Sequence, residues 1–216
     1  SREPDVISGK NMAIIGEDTP SSMYATESPY GAARFFDGDT YMKRSGHVIN
    51  LDKGFLASFP VLQLSNTEAV LHSAVKAEAG YQISISSEGA IRFYLTYRNF
   101  KKRITVETPS EELVFGRWQL LQVWMDRQRG TAGVRVGAKE YATDIDIGAT
   151  IHRNSNTKVT LAARPDGRFK FKGGVSRVFF FELSPSESDR DWLYNDGAYR
   201  SLAEARAYTA HVPDLV

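Results

Sequence analysis

A chain of 216 residues with 27 Lys+Arg against 26 Asp+Glu, a formal net charge of +1, has no electrostatic excess to draw nucleic acid or an anionic membrane onto it. It contains no cysteine, which excludes a disulfide framework and a thiolate metal site, and no window approaches the roughly 18 apolar residues of a membrane-spanning helix. Hydrophobic residues at 42% and charged residues at 25% fit one water-soluble domain of a size that sandwiches reach without dividing.

Residues 1–29 read as a polar, irregular arm rich in Ser, Thr and Pro, with one strand around Met12, Ala13, Ile14 and Ile15. The arm lacks a basic stretch followed by an apolar run of signal-peptide length. Across residues 30–200, short segments of period two recur between turn signals, as in an antiparallel sandwich and unlike the longer alternation of strands and helices in a parallel α/β fold. ARFFDGDTYMKR predicts a hairpin turning at Asp37-Gly38.

YQISISSEGAIRFYLTYR predicts another, because Tyr81, Ile83 and Ile85 alternate with Gln82, Ser84 and Ser86. In its second strand Ile91, Phe93, Leu95 and Tyr97 share one face, and Arg92, Tyr94, Thr96 and Arg98 the other. The basic run Arg98, Lys101, Lys102 and Arg103 reads as a solvated turn.

RWQLLQVWMDRQRGTAGVRVGAKEYA predicts a strand, a turn at Arg129-Gly130 and a strand through Val134 and Val136 that closes at Gly137. NTKVTLAAR and GGVSRVFFFEL are two more strands, the second apolar throughout and therefore central. SPSESDRDWLYN is the one helical segment, with Ser184 as N-cap, Pro185 in the first turn, Glu187 in a capping-box position and Gly197 at the left-handed C-terminal position. Residues 201–216 form a tail.

Four of these segments occur in a telling order: FFDG, GRWQLLQVWMDR, VRVGAKEYA and FKGGVSRVFFFELSPSESDRDWLYNDG. Over roughly residues 30–197 this order resembles the laminin G-like, concanavalin A-like lectin/glucanase superfamily. The resemblance implies an all-β fold, a two-sheet antiparallel β-sandwich (a concanavalin A-like jelly roll) with one short C-terminal helix. It makes the triple-phenylalanine strand a late core strand and the helix a plug behind it, with Trp192 and Tyr194 packed against the sandwich. The chain departs from the superfamily at Val136-Gly137-Ala138, where an Asp-Gly turn is usual, and in lacking cysteines near its C-terminus. Resemblance therefore supplies a fold and leaves the ligand open.

Catalytic members of the superfamily carry Glu-x-Asp-x-x-Glu on one strand, which sets nucleophile and acid on the same face. The nearest stretch here, ATDIDIGAT, holds Asp144 and Asp146 without a flanking glutamate, so no enzyme is expected. His47, His72, His152 and His211 stand singly, without zinc spacing, and neither a nucleophile elbow nor a phosphate loop occurs. Glu111-Glu112 and the run from Glu187 to Asp191 read as a solvated turn and a helix cap. Calcium is the one cofactor left open, held if anywhere by Asp144 and Asp146, with Asp37, Asp39, Asn195 and Asp196 also eligible.

Strand parity after Gly116 turns Leu121, Val123 and Met125 inward and Leu120, Gln122, Trp124 and Asp126 outward. An outward Trp124 beside Gln122, extended by Tyr94, Arg92 and Arg98, suits stacking on a sugar ring. The competing reading is that Trp124 is covered by other parts of the chain or a neighbouring subunit, and Leu120 on the same face favours cover.

The expected function is a non-catalytic lectin-like module for binding or docking. Two settings suit it: a virion surface protein such as a phage capsid decoration or fibre component, or a bacterial carbohydrate-binding module belonging to a larger extracellular protein. The first implies partner subunits in an oligomer or assembly, with cell-surface glycan as a candidate ligand. Lack of an export signal and of cysteine suits a particle built in a bacterial cytoplasm and released by lysis.

Overall fold

The computed structural model describes residues 2–4, 11–15, 24–50, 53–76, 79–97, 103–148, 153–198, 200–201, 203–204 and 207. The strands are β1 (Arg2–Pro4), β2 (Asn11–Ile15), β3 (Tyr24–Ser28), β4 (Gly31–Asp37), β5 (Tyr41–Asn50), β6 (Phe55–Gln63), β7 (Ala69–Lys76) and β8 (Ala79–Ile85). They continue as β9 (Ile91–Thr96), β10 (Arg103–Glu107), β11 (Trp118–Asp126), β12 (Thr131–Val136), β13 (Lys139–Asp144), β14 (Arg153–Leu161), β15 (Lys172–Val175) and β16 (Phe179–Phe181). Helix α1 (Glu187–Tyr194) follows. The first sheet runs β1-β2-β5-β14-β7-β8-β9-β10 and the second β13-β12-β11-β6-β15-β4-β3, with β16 also on β6 and every pairing antiparallel.

The core lies between the two sheets, and parity decides its membership. Tyr81, Ile83 and Ile85 face it from β8, Ile91, Phe93 and Leu95 from β9, and Leu121, Val123 and Met125 from β11, joined by Phe55, Ala57, Phe59 and Val61 of β6. The register keeps the apolar rows opposite one another, with Ile83 across from Phe93 and Ile85 across from Ile91. An all-β, two-sheet sandwich with one short helix is what the sequence led us to expect.

Four local expectations give way. The segment 1–29 contributes three strands, β1 and β2 in the first sheet and β3 in the second, so it is woven into the sandwich and is no separate arm. Strands at or near a sheet edge need little apolar contrast, so composition under-reads them. Of the expected tail at 201–216, most lies outside the described residues.

The Asp37-Gly38 turn joins β4 of the second sheet to β5 of the first, so it is a corner between sheets and no hairpin. Asp37 Oδ1 accepts hydrogen bonds from the Asp39 and Thr40 amides and the Thr40 hydroxyl, fixing the turn by its own side chain. Burial raises the Asp37 carboxyl, and these three bonds together with one from its own amide outweigh it, so the group lies below its ordinary pKa.

GGVSRVFFF is two strands, divided where β6 carries Pro60. The Pro60 carbonyl accepts from the Ser176 amide at 3.0 Å, but proline has no N–H to return, and the ladder lapses until Phe179 pairs with Ser58. Parity then splits the triplet: Phe180 packs against the main core, while Phe179 and Phe181 join Leu56, Trp124 and Leu193 on the opposite face of the sheet. The triplet is apolar throughout because both of its faces are covered.

The helix starts two residues later than the sequence implied. Ser186 is the N-cap, and its hydroxyl accepts from the Asp189 amide while Asp189 returns a bond to the Ser186 amide, a reciprocal capping box. Ser184 instead donates its hydroxyl to Asp126 Oδ1 at 2.6 Å. The C-terminal turn is made by Asn195 at φ 48°, ψ 49°, in place of Gly197.

Candidate ligand-binding rim

The predicted platform on β11 does not reach solvent. Trp124 is 1% exposed, sealed by Phe179, Phe181 and Leu193, and the Arg190 guanidinium lies 4.5 Å from its ring centre. Gln122 is fully buried and donates through Nε2 to the Arg190 carbonyl at 3.2 Å. The outward parity was read correctly, but α1 closes over that face. Trp124 and Gln122 are therefore removed from the ligand-binding set.

Arg92 and Tyr94 lie on the other sheet, on the outer face of β9. The Arg103 guanidinium lies over one face of the Tyr94 ring, 3.7 Å from its centre, and takes that face from a stacking ligand. Arg98 falls outside the described residues. Arg92 donates through Nε to Glu107 at 2.8 Å and lies 3.7 Å from Glu68. The Glu107 hydrogen bond, partly opposed by burial and assisted by the charges of Glu107 and Glu68, raises the guanidinium above its ordinary pKa.

Asp144 and Asp146 stand at the end of β13 and just beyond it. Asp144 ends β13 opposite Thr131 and is exposed, and the Asp146 carboxylate accepts from the Gly148 amide. Among the described residues no group of three or more His, Cys, Asp or Glu is placed to hold a metal. A calcium ion takes six or more oxygens, so Asp144 and Asp146 would need neutral oxygens to complete its shell.

Three connections meet at one end of the sandwich: residues 64–68 after β6, the turn 86–90 after β8, and the long connection 108–117 after β10. Backbone bonds lace them together. The Glu111 amide donates to Glu88 O at 2.7 Å, the Leu113 amide to Gly89 O at 3.0 Å, and the Gly116 amide to Gln63 O at 2.9 Å. Gly89 has φ 76°, and a Cβ there would lie 2.4 Å from the Leu113 carbonyl, so only glycine lets the turn and the loop approach this closely.

Glu112 ties the loop to β13, accepting from Lys139 Nζ at 2.8 Å and from the Tyr141 hydroxyl at 2.7 Å. These two bonds, the lysine first, hold its carboxyl below the ordinary glutamate value. A depressed folded-state pKa stabilises the protein above the unfolded-state value and loses that stabilisation as pH falls through the folded-state value. Glu112→Gln should therefore flatten the acid limb of a melting-temperature profile below about pH 4, and an acid limb identical to wild type would refute the tie.

Leu113 is 2% exposed and anchors the loop in the main core, while the next two residues, Val114 and Phe115, are 44% and 54% exposed. Leu64 stands 36% exposed across from them. Two adjoining cavities open on the rim. One of about 240 Å³ is lined by Glu68, Glu88, Arg92, Glu107 and Ser110. The other, of about 420 Å³, is lined by Gln63, Asn66, Glu88, Glu111, Leu113 and Phe115, with Glu88 common to both.

None of these rim residues was singled out from sequence except Arg92 and the Glu111-Glu112 pair. The one local signal was Val114-Phe115 in an otherwise turn-rich stretch.

No protein-family model matches the chain, and neither does any curated protein sequence. Solved structures do. Domains LG4-5 of the mouse laminin alpha1 chain superpose at TM-score 0.56 and 17% identity, over 68% of this chain and 40% of that one. The binding domain of botulinum neurotoxin DC, in complex with rat synaptotagmin II, gives 0.63 and 14% over 88% and 48%. The native heptameric SAP-like pentraxin of Limulus polyphemus gives 0.51 and 11% over 85% and 80%.

The chain has the concanavalin A-like fold. It spans less than half the length of the laminin and neurotoxin structures it matches. Within this jelly roll the rim is where loops from both sheets converge. Among the described residues no helix is long and apolar enough to cross a membrane.

Proposed function

We propose that this concanavalin A-like sandwich is a non-catalytic docking module that engages a protein partner through the rim. The observation that carries the reading is Phe115, more than half exposed at the tip of a loop whose neighbouring residue Leu113 is locked in the core. A loop that only closed the sandwich would turn polar side chains to water. A rigidly held aromatic with apolar neighbours is the usual anchor of a protein interface. The botulinum neurotoxin DC binding domain is found in complex with rat synaptotagmin II and also with SialylT, so that likeness agrees with a binding module and leaves the choice of ligand to the rim itself. A sugar-stacking site has less support, because Trp124 is buried and Arg103 covers one face of Tyr94. Mounted on a capsid or fibre among other subunits, or on an extracellular protein, such a rim would serve as the point of attachment.

The test is a double substitution, Val114→Ser with Phe115→Ser, compared with wild type on arrays of short peptides and of glycans. Both side chains face solvent, so stability should change by no more than about 0.5 kcal/mol. Peptides retained by the wild type should be lost. Glycan retention that survives the double substitution and disappears in Tyr94→Ala would overturn the rim and return the site to the outer face of the first sheet.

A further inference from the structure

Resting on the docking reading, we infer that the rim recognises a basic segment: a lysine or arginine side chain next to an apolar residue. The larger cavity, about 420 Å³, is the size of pocket that holds one or two side chains. Its charged lining is acidic, with Gln63, Asn66 and Ser87 as the neutral polar side chains. Gln63 is 3% exposed, its Nε2 is spent on the Ser65 carbonyl at 2.8 Å, and its Oε1 has no hydrogen-bond partner. Beside it stand the carboxylates of the exposed residues Glu88 and Glu111; Glu88 accepts from the Ser110 hydroxyl at 3.0 Å, and neither forms an ion pair among the described residues. Two carboxylates without an ion pair, beside exposed apolar side chains, suit a ligand that brings donors and positive charge.

The cation nearest in the lining is Arg92, and it belongs to the smaller cavity, where Glu107 and Glu68 already engage it. That cavity carries three carboxylates, of Glu68, Glu88 and Glu107, against the one guanidinium. The acidic character therefore continues along the groove, with room for a second basic side chain. Leu113, Val114 and Phe115 line the larger cavity and supply the contact for an apolar neighbour. An acidic partner would meet like charges here, and a neutral sugar would leave the carboxylates without a counter-charge.

Three labelled oligopeptides test this against the whole chain: one alternating Lys and Leu, one alternating Lys and Gly, and one alternating Glu and Leu. The Lys–Leu peptide should bind, more weakly as salt rises. Its affinity should fall about tenfold or more in the Glu88→Gln, Glu111→Gln double variant, whose melting curve should match wild type. The Lys–Gly peptide should bind more weakly than Lys–Leu, and the Glu–Leu peptide should not bind.

Equal binding of the Lys–Leu and Glu–Leu peptides, still lost on Val114→Ser with Phe115→Ser, would sink the basic preference and leave the docking module standing. Failure of every peptide to bind in a Phe115-dependent way would sink both. Neutral oligosaccharides held by wild type and released by the double glutamine variant would assign the groove to glycan and overturn the inference.

Discussion

Trp124→Ala is expected to lose about 3–5 kcal/mol of folding stability, the cost of truncating a large, fully buried aromatic. The indole is enclosed on the outer face of the second sheet by Leu56, Phe179, Phe181 and Leu193, so its removal leaves a void that several elements would have to move to fill. Gly133 on the paired strand shows how closely the ring is held, since a Cβ there would lie 2.1 Å from the indole. Because Leu193 and Arg190 belong to α1, the loss should loosen the helix, seen as faster hydrogen exchange of its amides, while denaturant titration gives the free energy. An unchanged unfolding midpoint would mean that the ring lies in solvent and that the platform reading was right.

Gly173→Ala should be comparably severe, at about 3 kcal/mol or more, from overpacking and backbone strain together. Gly173 has φ 151°, and a Cβ would lie 2.0 Å from the Leu62 carbonyl and 2.7 Å from the Phe171 ring. β15 is hydrogen-bonded to β6 on one side and β4 on the other, and β6 is in turn paired with β11, so the Leu62 carbonyl has no room to retreat. Thermal unfolding checks it, with Gly148→Ala as control, because there the nearest atom to a new Cβ is at 3.4 Å. A Gly173→Ala protein as stable as that control would refute the close approach.

Much of the fold was legible because alternation is a local property. Residues 81–97 state their own hairpin: every second side chain is apolar, and the turn residues stand between. The same parity correctly turned Trp124 outward. Strand β6 shows the limit, since Pro60 in its middle argues against a central strand, yet it lies inside the second sheet. Proline is tolerated there because the neighbouring chain leaves the ladder at Ser176, and that compensation lies 116 residues away, from 60 to 176.

The candidate site was less legible. Gln63 ends β6, Glu88 and Phe115 come from two separate connections, and nothing near any one of them in the chain announces the other two. Asp144 and Asp146 looked like a pair because they are two residues apart, but an ion site needs ligands from several directions, and among the described residues no third acidic or imidazole side chain joins them.

By itself, then, the sequence determined the class of structure: two antiparallel sheets, a short capped helix, and which side of each well-patterned strand faces the core. All of these rest on the period of the side chains and on turn and cap chemistry within a few residues. Tertiary structure alone decided what covers the outer faces. It laid α1 over Trp124, made Asp37-Gly38 a corner between sheets, and gathered the acceptors and apolar side chains of the rim at one end. Burial and convergence depend on distances between segments far apart in the chain, and alternation along one strand carries no information about what packs against its far side.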